Sequence, residues 1–255
     1  MPAQTKSKLS LKLPTQLAFV ASKLLHNRDF DPSFTNDPAH SHIIGTPKIN
    51  AAEMDGPQAY ADTCAIKAQE LILERYTNTE ISEDHLVEYA LEKGWYSPGS
   101  GTPIPHVGKL LEESGIPITQ RHGANIFDLY KELGEGKQVI IGVDGAELRG
   151  NNKIGEFIEE FLGGLQADHA VVVSGINVAT NEVIITDPAT GLTSNYSFTR
   201  LTEAWSDSDF FMMNTNIPAP KWVPGMEDFD YGLGHIEAIQ GMSFDGFVAA
   251  GQETF

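Results

Sequence analysis

His169-Ala-Val-Val-Val-Ser-Gly175 places four apolar residues in unbroken succession directly after a histidine. The run is too short for an ordinary helix. Successive strand side chains point to opposite faces, so as a strand it is apolar on both. Such a strand needs cover on both sides and belongs in the centre of a sheet.

The period of the chain changes ahead of it. Cys64 to Tyr76 carries Ile66, Leu71 and Leu73 among good helix formers and reads as a helix. Asp62 or Thr63 is placed to cap it. A second helix spans Ser82 to Lys93, with Ser82 as cap, Leu86, Val87, Tyr89, Ala90 and Leu91 as apolar positions, and Gly94 as stop. Shorter helices are expected over about 106–114 and 126–133, ending at Gly115 and Gly134. From Gln138 onward strands dominate: Gln138–Val143, His169–Gly175, Val183–Thr186 after a turn at Asn181-Glu182, and Gly191–Thr199. Leu201–Trp205 reads as a helical turn and Phe210–Thr215 as an edge strand. Between the first two strands lies a Gly- and Glu-rich excursion, with a helix expected at about 154–162. Helices followed by a mostly antiparallel sheet make an α+β fold.

Three regions follow from this pass. Residues 1–50 are a polar extension holding one amphipathic helix, about 15–26, and a loop from Asp29 to Pro47. Residues 51–215 are the folded domain, and 216–255 are a tail rich in Pro, Gly and Asp.

With 17 basic and 35 acidic side chains, the net charge is −18. That argues against nucleic acid or an anionic membrane as the main partner, because both need a positive surface. It is compatible with a cationic peptide substrate, and also with plain solubility. One cysteine rules out an internal disulfide framework. No run of about 18 apolar residues marks a spanning helix. Leu17-Ala-Phe-Val-Ala is too short, and too interrupted by its neighbours, for a signal peptide. The chain is therefore expected in the cytoplasm, or exported without a recognisable signal.

The candidate chemistry rests on that cysteine. Cys64 opens a helix, where the positive end of the peptide dipole favours a thiolate. His169 opens the central strand. Asp187, in Ile-Ile-Thr-Asp187-Pro188, ends the next one. A thiol, an imidazole and a carboxylate in these places suit a nucleophile, its base and the orienter of that base. Gln58, six residues before Cys64, can donate its side-chain N–H to an oxyanion, with the Cys64 backbone N–H as second donor. Each feature alone has a bland reading: a buried thiol, a satisfied histidine, an Asp-Pro turn. Their joint order and placement favour the active site. Four residues complete this chemistry, with no organic cofactor and no metal. His40 and His42, Asp207 and Asp209, and Glu227 to Asp230 lack a metal-site framework. Gly163-Gly164 could hinge a lid, though a plain loop is the simpler reading.

The stretch 55–215 resembles the papain-like cysteine peptidases, in particular the bacteriocin-processing branch that cuts after double-glycine leaders. Asp62-Thr-Cys64-Ala-Ile, Gly136-Lys-Gln-Val-Ile-Ile-Gly-Val-Asp144, Asp168-His169-Ala-Val-Val-Val-Ser-Gly175-Ile and Ile185-Thr-Asp187-Pro188 carry the resemblance. The Gln58-to-Cys64 spacing matches that superfamily's oxyanion glutamine. The resemblance implies a bacterial-type thiol peptidase, with a helical half bearing Cys64 packed on a sheet bearing His169 and Asp187. Its substrate would be a peptide or protein. The branch often has Cys-Gly-Pro where this chain has Cys64-Ala65-Ile66, and is often fused to transporter domains not seen here. An acyl transferase or non-peptide amidase acting as a toxin or effector would use the same four residues. A non-catalytic binding module would have no need of them.

Overall fold

A computed structural model describes residues 43–150 and 168–220. The expected helices at 15–26 and 154–162, His40 and His42, Gly163-Gly164, Glu227 to Asp230 and the tail beyond 220 lie outside the described residues. In chain order the elements are β1 (Ile43–Gly45), α1 (Pro47–Glu53), α2 (Cys64–Thr77), α3 (Glu83–Glu92), a 3-10 turn (Ile104–His106) and α4 (Lys109–Glu113). Then come β2 (Ile118–Arg121), α5 (Ile126–Gly134), β3 (Val139–Val143), α6 (Gly145–Arg149), β4 (His169–Asn177), β5 (Glu182–Asp187), β6 (Leu192–Ser197), α7 (Phe198–Ser206) and β7 (Met212–Thr215).

The strands form one sheet in the order β2-β7-β3-β4-β5-β6, with β1 also on β4. Every pairing is antiparallel. β4 sits in the middle, as its apolar run requires. Ala170 and Val172 face one core, with α2, α3 and α4, while Val171 and Val173 face the other, with α5 and α7. The architecture is α+β, with helices on both faces of an antiparallel sheet.

α2 is the centre of the first core. Every residue from Ala65 to Tyr76 is buried. Ile66, Leu71, Ile72 and Leu73 are at most 2% exposed, and burying each is worth about 1.5–3 kcal/mol. The helix ends where Asn78 turns left-handed at φ 50°. α5 starts from a full capping box: Asn125 accepts from the Phe127 and Asp128 N–H groups, and Asp128 accepts from the Asn125 N–H.

Four expectations need correction. Residues 43–45, read as loop, form β1, and Thr46 N–H donates to the Ser174 carbonyl at 2.8 Å. Three residues are too few to show a period. Phe210–Thr215 was expected at the edge, but β7 lies between β2 and β3. The edge strand on that side, β2, reads Ile-Thr-Gln-Arg with half-exposed ends and an exposed middle, so it carries almost no apolar signal. Leu201–Trp205 is part of a nine-residue helix, α7, capped by Ser197. Finally, neither candidate caps α2 by its side chain. Thr63 holds the cap position, but its hydroxyl donates to Glu83 Oε1 at 2.6 Å. Asp62 accepts from Tyr96 Oη at 2.8 Å and from the Gly99 N–H, holding the loop after α3.

Candidate active site

Cys64 is the first residue of α2 and is half-buried. Its Sγ accepts a hydrogen bond from the Ala170 N–H at 3.4 Å. The β4–β5 ladder starts at Val172, so this N–H lies beyond it. The start of β4 therefore meets the start of α2, which joins residues 106 apart in sequence.

The sheet register brings His169 and Asp187 together. Val172 pairs with Thr186, so Asp187 falls opposite Val171, two residues from His169. Residues two apart on a strand share a face, and diagonal partners are within reach of long side chains. His169 Nε2 lies 2.6 Å from Asp187 Oδ1, with both side chains almost fully buried. Asp187 Oδ1 also accepts from the Ala189 N–H at 2.9 Å, and Oδ2 accepts from Arg149 Nη1 at 3.4 Å.

The electrostatics follow from these contacts. Burial works against a charged His169 ring. Hydrogen bonds with Asp187 and Cys64, and their negative charge, outweigh burial and push the ring up to about 9. Burial likewise opposes an ionised Asp187. The hydrogen bond and charge of His169, the Ala189 N–H and the Arg149 charge hold it below its usual range. The geometry thus favours imidazolium beside carboxylate at neutral pH.

Gln58 reaches the same region through its backbone, since its N–H donates to the Pro188 carbonyl at 2.7 Å. Its side-chain Nε2 donates to the Tyr60 carbonyl at 2.7 Å. The Oε1 is buried and has no hydrogen-bond partner among the described residues. The structure therefore joins His169 to Asp187 by a hydrogen bond and brings Cys64 against the backbone of Ala170, next to His169. It ties the Gln58 backbone to the Asp187 loop and turns the Gln58 amide toward Tyr60.

Two contributors escape sequence reasoning. Arg149, at the end of α6, is one charge inside a Gly- and Glu-rich stretch, and nothing local ties it to Asp187. Gly145, the first residue of α6, packs on His169: a Cβ there would lie 3.2 Å from His169 Cβ and 2.8 Å from Arg149 Nη2. Its N–H donates to Asp168 Oδ1 at 2.9 Å, so the residue before His169 is fixed as well. Among the described residues, no group of three or more His, Cys, Asp or Glu side chains could hold a metal ion. No described helix is long and apolar enough to cross a membrane.

No protein-family model matches the chain, and no curated protein sequence matches it. Solved structures do. The chain is similar to the peptidase domain of Streptococcus ComA, a bi-functional ABC transporter involved in a quorum sensing pathway, at 17% identity over 65% of this chain and 96% of that one, with a TM-score of 0.44. It is similar to a double glycine motif protease from an AMS/PCAT transporter, solved with the leader peptide, at 13% identity over 62% of this chain and 88% of that one, TM-score 0.42. A candidate C39-like peptidase from Bacillus anthracis shares 12% identity over 70% of this chain and 99% of that one, with a TM-score of 0.49.

Proposed function

We propose that this chain is a cysteine hydrolase that cleaves a peptide bond through a thioester on Cys64. The observation that carries the reading is one juxtaposition: Asp187 Oδ1 lies 2.6 Å from His169 Nε2, and Cys64, at a helix N-terminus, takes a hydrogen bond on Sγ from the N–H of Ala170, the residue after His169.

In the reading, the Cys64 sulfur attacks the carbonyl carbon and a C–S bond forms. The carbonyl oxygen takes up the negative charge. His169, held as imidazolium, gives its proton to the leaving nitrogen as the C–N bond breaks. Water then attacks the thioester, His169 takes the proton, and the acid product leaves with Cys64 restored. Asp187 keeps the ring oriented and balances its charge. The first N–H groups of α2 have no partners within the helix and point toward Cys64; the Cys64 N–H is the first oxyanion donor. Gln58 is the second, once its Nε2 exchanges the Tyr60 carbonyl for the oxyanion.

The test is a mixed peptide library that includes Gly-Gly sequences, with iodoacetamide labelling of Cys64 in parallel. Cys64→Ala and His169→Ala should lose cleavage. Gln58→Ala should lower kcat by about 100-fold, the usual loss for one oxyanion donor. Cleavage that persists in Cys64→Ala would end the thioester reading. Full kcat in Gln58→Ala would remove the glutamine from the oxyanion site and leave the rest standing.

A further inference from the structure

A cavity of about 510 Å³ opens on the flank of α2, outside the triad. Asp55, Glu70, Glu80, Glu83 and Asp84 line it, against Lys67 and His85. Such a cluster is often no more than a solvated face, and two observations set this one apart.

The first is Glu70. The residue is 2% exposed. Its Oε1 accepts from Lys67 Nζ at 2.7 Å, but its Oε2 is buried with no hydrogen-bond partner among the described residues. A buried carboxylate oxygen left unpaired is costly. Lys67 is shared with Asp55, whose Oδ1 lies 2.5 Å from its Nζ, and it reaches only the Oε1 of Glu70. Burial pushes the Glu70 carboxyl up to about 8 in spite of Lys67. A cation placed beside Oε2 would favour the ionised carboxylate and offset the cost of its burial.

The second is its position. Lys67 is three residues after Cys64 on α2, about 4.5 Å along the helix axis. Glu83, on the cavity wall, accepts from Thr63 Oγ1 at 2.6 Å, and Thr63 precedes the nucleophile. The same carboxylate accepts from the Ala59 N–H at 2.9 Å. Pro57 and Ala59, which bracket Gln58, are also part of the lining. The opening therefore lies within one helical turn of Cys64 and beside the residues that flank Gln58.

We propose that the cavity is a subsite for a lysine or arginine side chain of the peptide substrate, with the cation seated against Glu70 Oε2. The inference rests on the peptidase reading above. An ammonium or guanidinium group supplies the missing donor and meets a surplus of negative charge. A neutral side chain of equal length supplies neither.

Peptidyl chloromethyl ketones test this, because alkylation of Cys64 fixes the register of the peptide. Lysine is compared with norleucine at each of the four residues before the reactive carbonyl, at low salt. At one position lysine should label at least about tenfold faster, the factor that about 1.4 kcal/mol of differential binding gives. That ratio should fall at least threefold in Glu70→Gln. It should also fall in Asp84→Asn, an exposed position that keeps the variant set informative if Glu70→Gln folds poorly. Ratios within twofold of unity at every position overturn the subsite while leaving the peptidase reading intact. A lysine advantage unchanged in both variants also overturns it, by assigning the preference elsewhere. Failure of every peptide to label a reactive Cys64 would instead overturn the peptidase reading, and the subsite with it.

Discussion

The His169–Asp187 pair makes stability depend on pH in a way that can be isolated. The perturbation is His169→Gln, which keeps a polar side chain but removes the titrating ring. In the folded protein the ring is raised from 6.5 to about 9. At about 1.4 kcal/mol for each tenfold change in proton affinity, that is worth about 3 kcal/mol. Because the folded value is above the unfolded one, this contribution is fully present below about pH 6.5 and is lost as pH rises through about 9. Asp187 is lowered, so its share has the opposite sense: it is present above the ordinary value of 3.8 and is lost as pH falls through its own lower value. The assay is urea unfolding of wild type and variant at pH 6 and at pH 10. Other titrating groups are common to both proteins and largely cancel in the difference. The stability gap between wild type and variant should be larger at pH 6 by up to about 3 kcal/mol. In a Cys64→Ala background the pH effect should shrink, since one of the two groups that raise the ring is gone. A gap equal at the two pH values within about 0.5 kcal/mol would refute the reasoning, because no proton would then be held by the native pair.

Arg149→Gln removes a cation 3.4 Å from Asp187. The His169 ring should then hold its proton more tightly, and the alkaline limb of the kcat/KM profile should move up by a few tenths of a pH unit, less at high salt because Arg149 is partly exposed. Gly145→Ala places a Cβ 3.2 Å from His169 Cβ. Displacing the base by a few tenths of an ångström should lower kcat by about tenfold with a small change in Tm, as steady-state kinetics and a melting curve would show. Gly191→Ala should cost about 2–3 kcal/mol in a urea melt. Its φ is +68°, and a Cβ would sit 2.5 Å from Gly56 C and 2.7 Å from Pro57 N, where only backbone could give way.

The sequence reading succeeds where one element determines its own character. The all-apolar β4, the helix opened by Cys64 and the Asp-Pro end of β5 are local statements, and antiparallel pairing of neighbouring strands then sets His169 diagonal to Asp187. It fails where the signal is shared between distant segments. β2 is polar because one edge of the sheet is open to water, so only its partner β7 reveals it as a strand. Thr63 looks like a helix cap, but Glu83, twenty residues away, takes its hydroxyl. Gln58 is expected on an oxyanion, but its amide donates to the Tyr60 carbonyl, an acceptor that the spacing to Cys64 does not reveal.

That last point bears on how such a site can be both stable and competent. Besides the apolar core between α2 and the sheet, backbone joints set how the segment carrying Cys64 meets the segments carrying His169 and Asp187. Ala170 N–H donates to Cys64 Sγ, Gln58 N–H donates to Pro188 O, and Gly191 packs on Gly56 and Pro57. The cores behind them are separate in composition, α2 to α4 on one face of the sheet and α5 with α7 on the other. A substitution at a joint therefore removes few apolar contacts yet changes the spacing of Cys64 and His169 directly. Geometry at the 0.5 Å level governs catalysis more steeply than it governs stability. Activity in this chain should accordingly fail at the joints well before the fold does. Losses in the cores, such as Leu71→Ala or Ile72→Ala, should instead lower stability by about 2–5 kcal/mol while the molecules that remain folded keep their kcat.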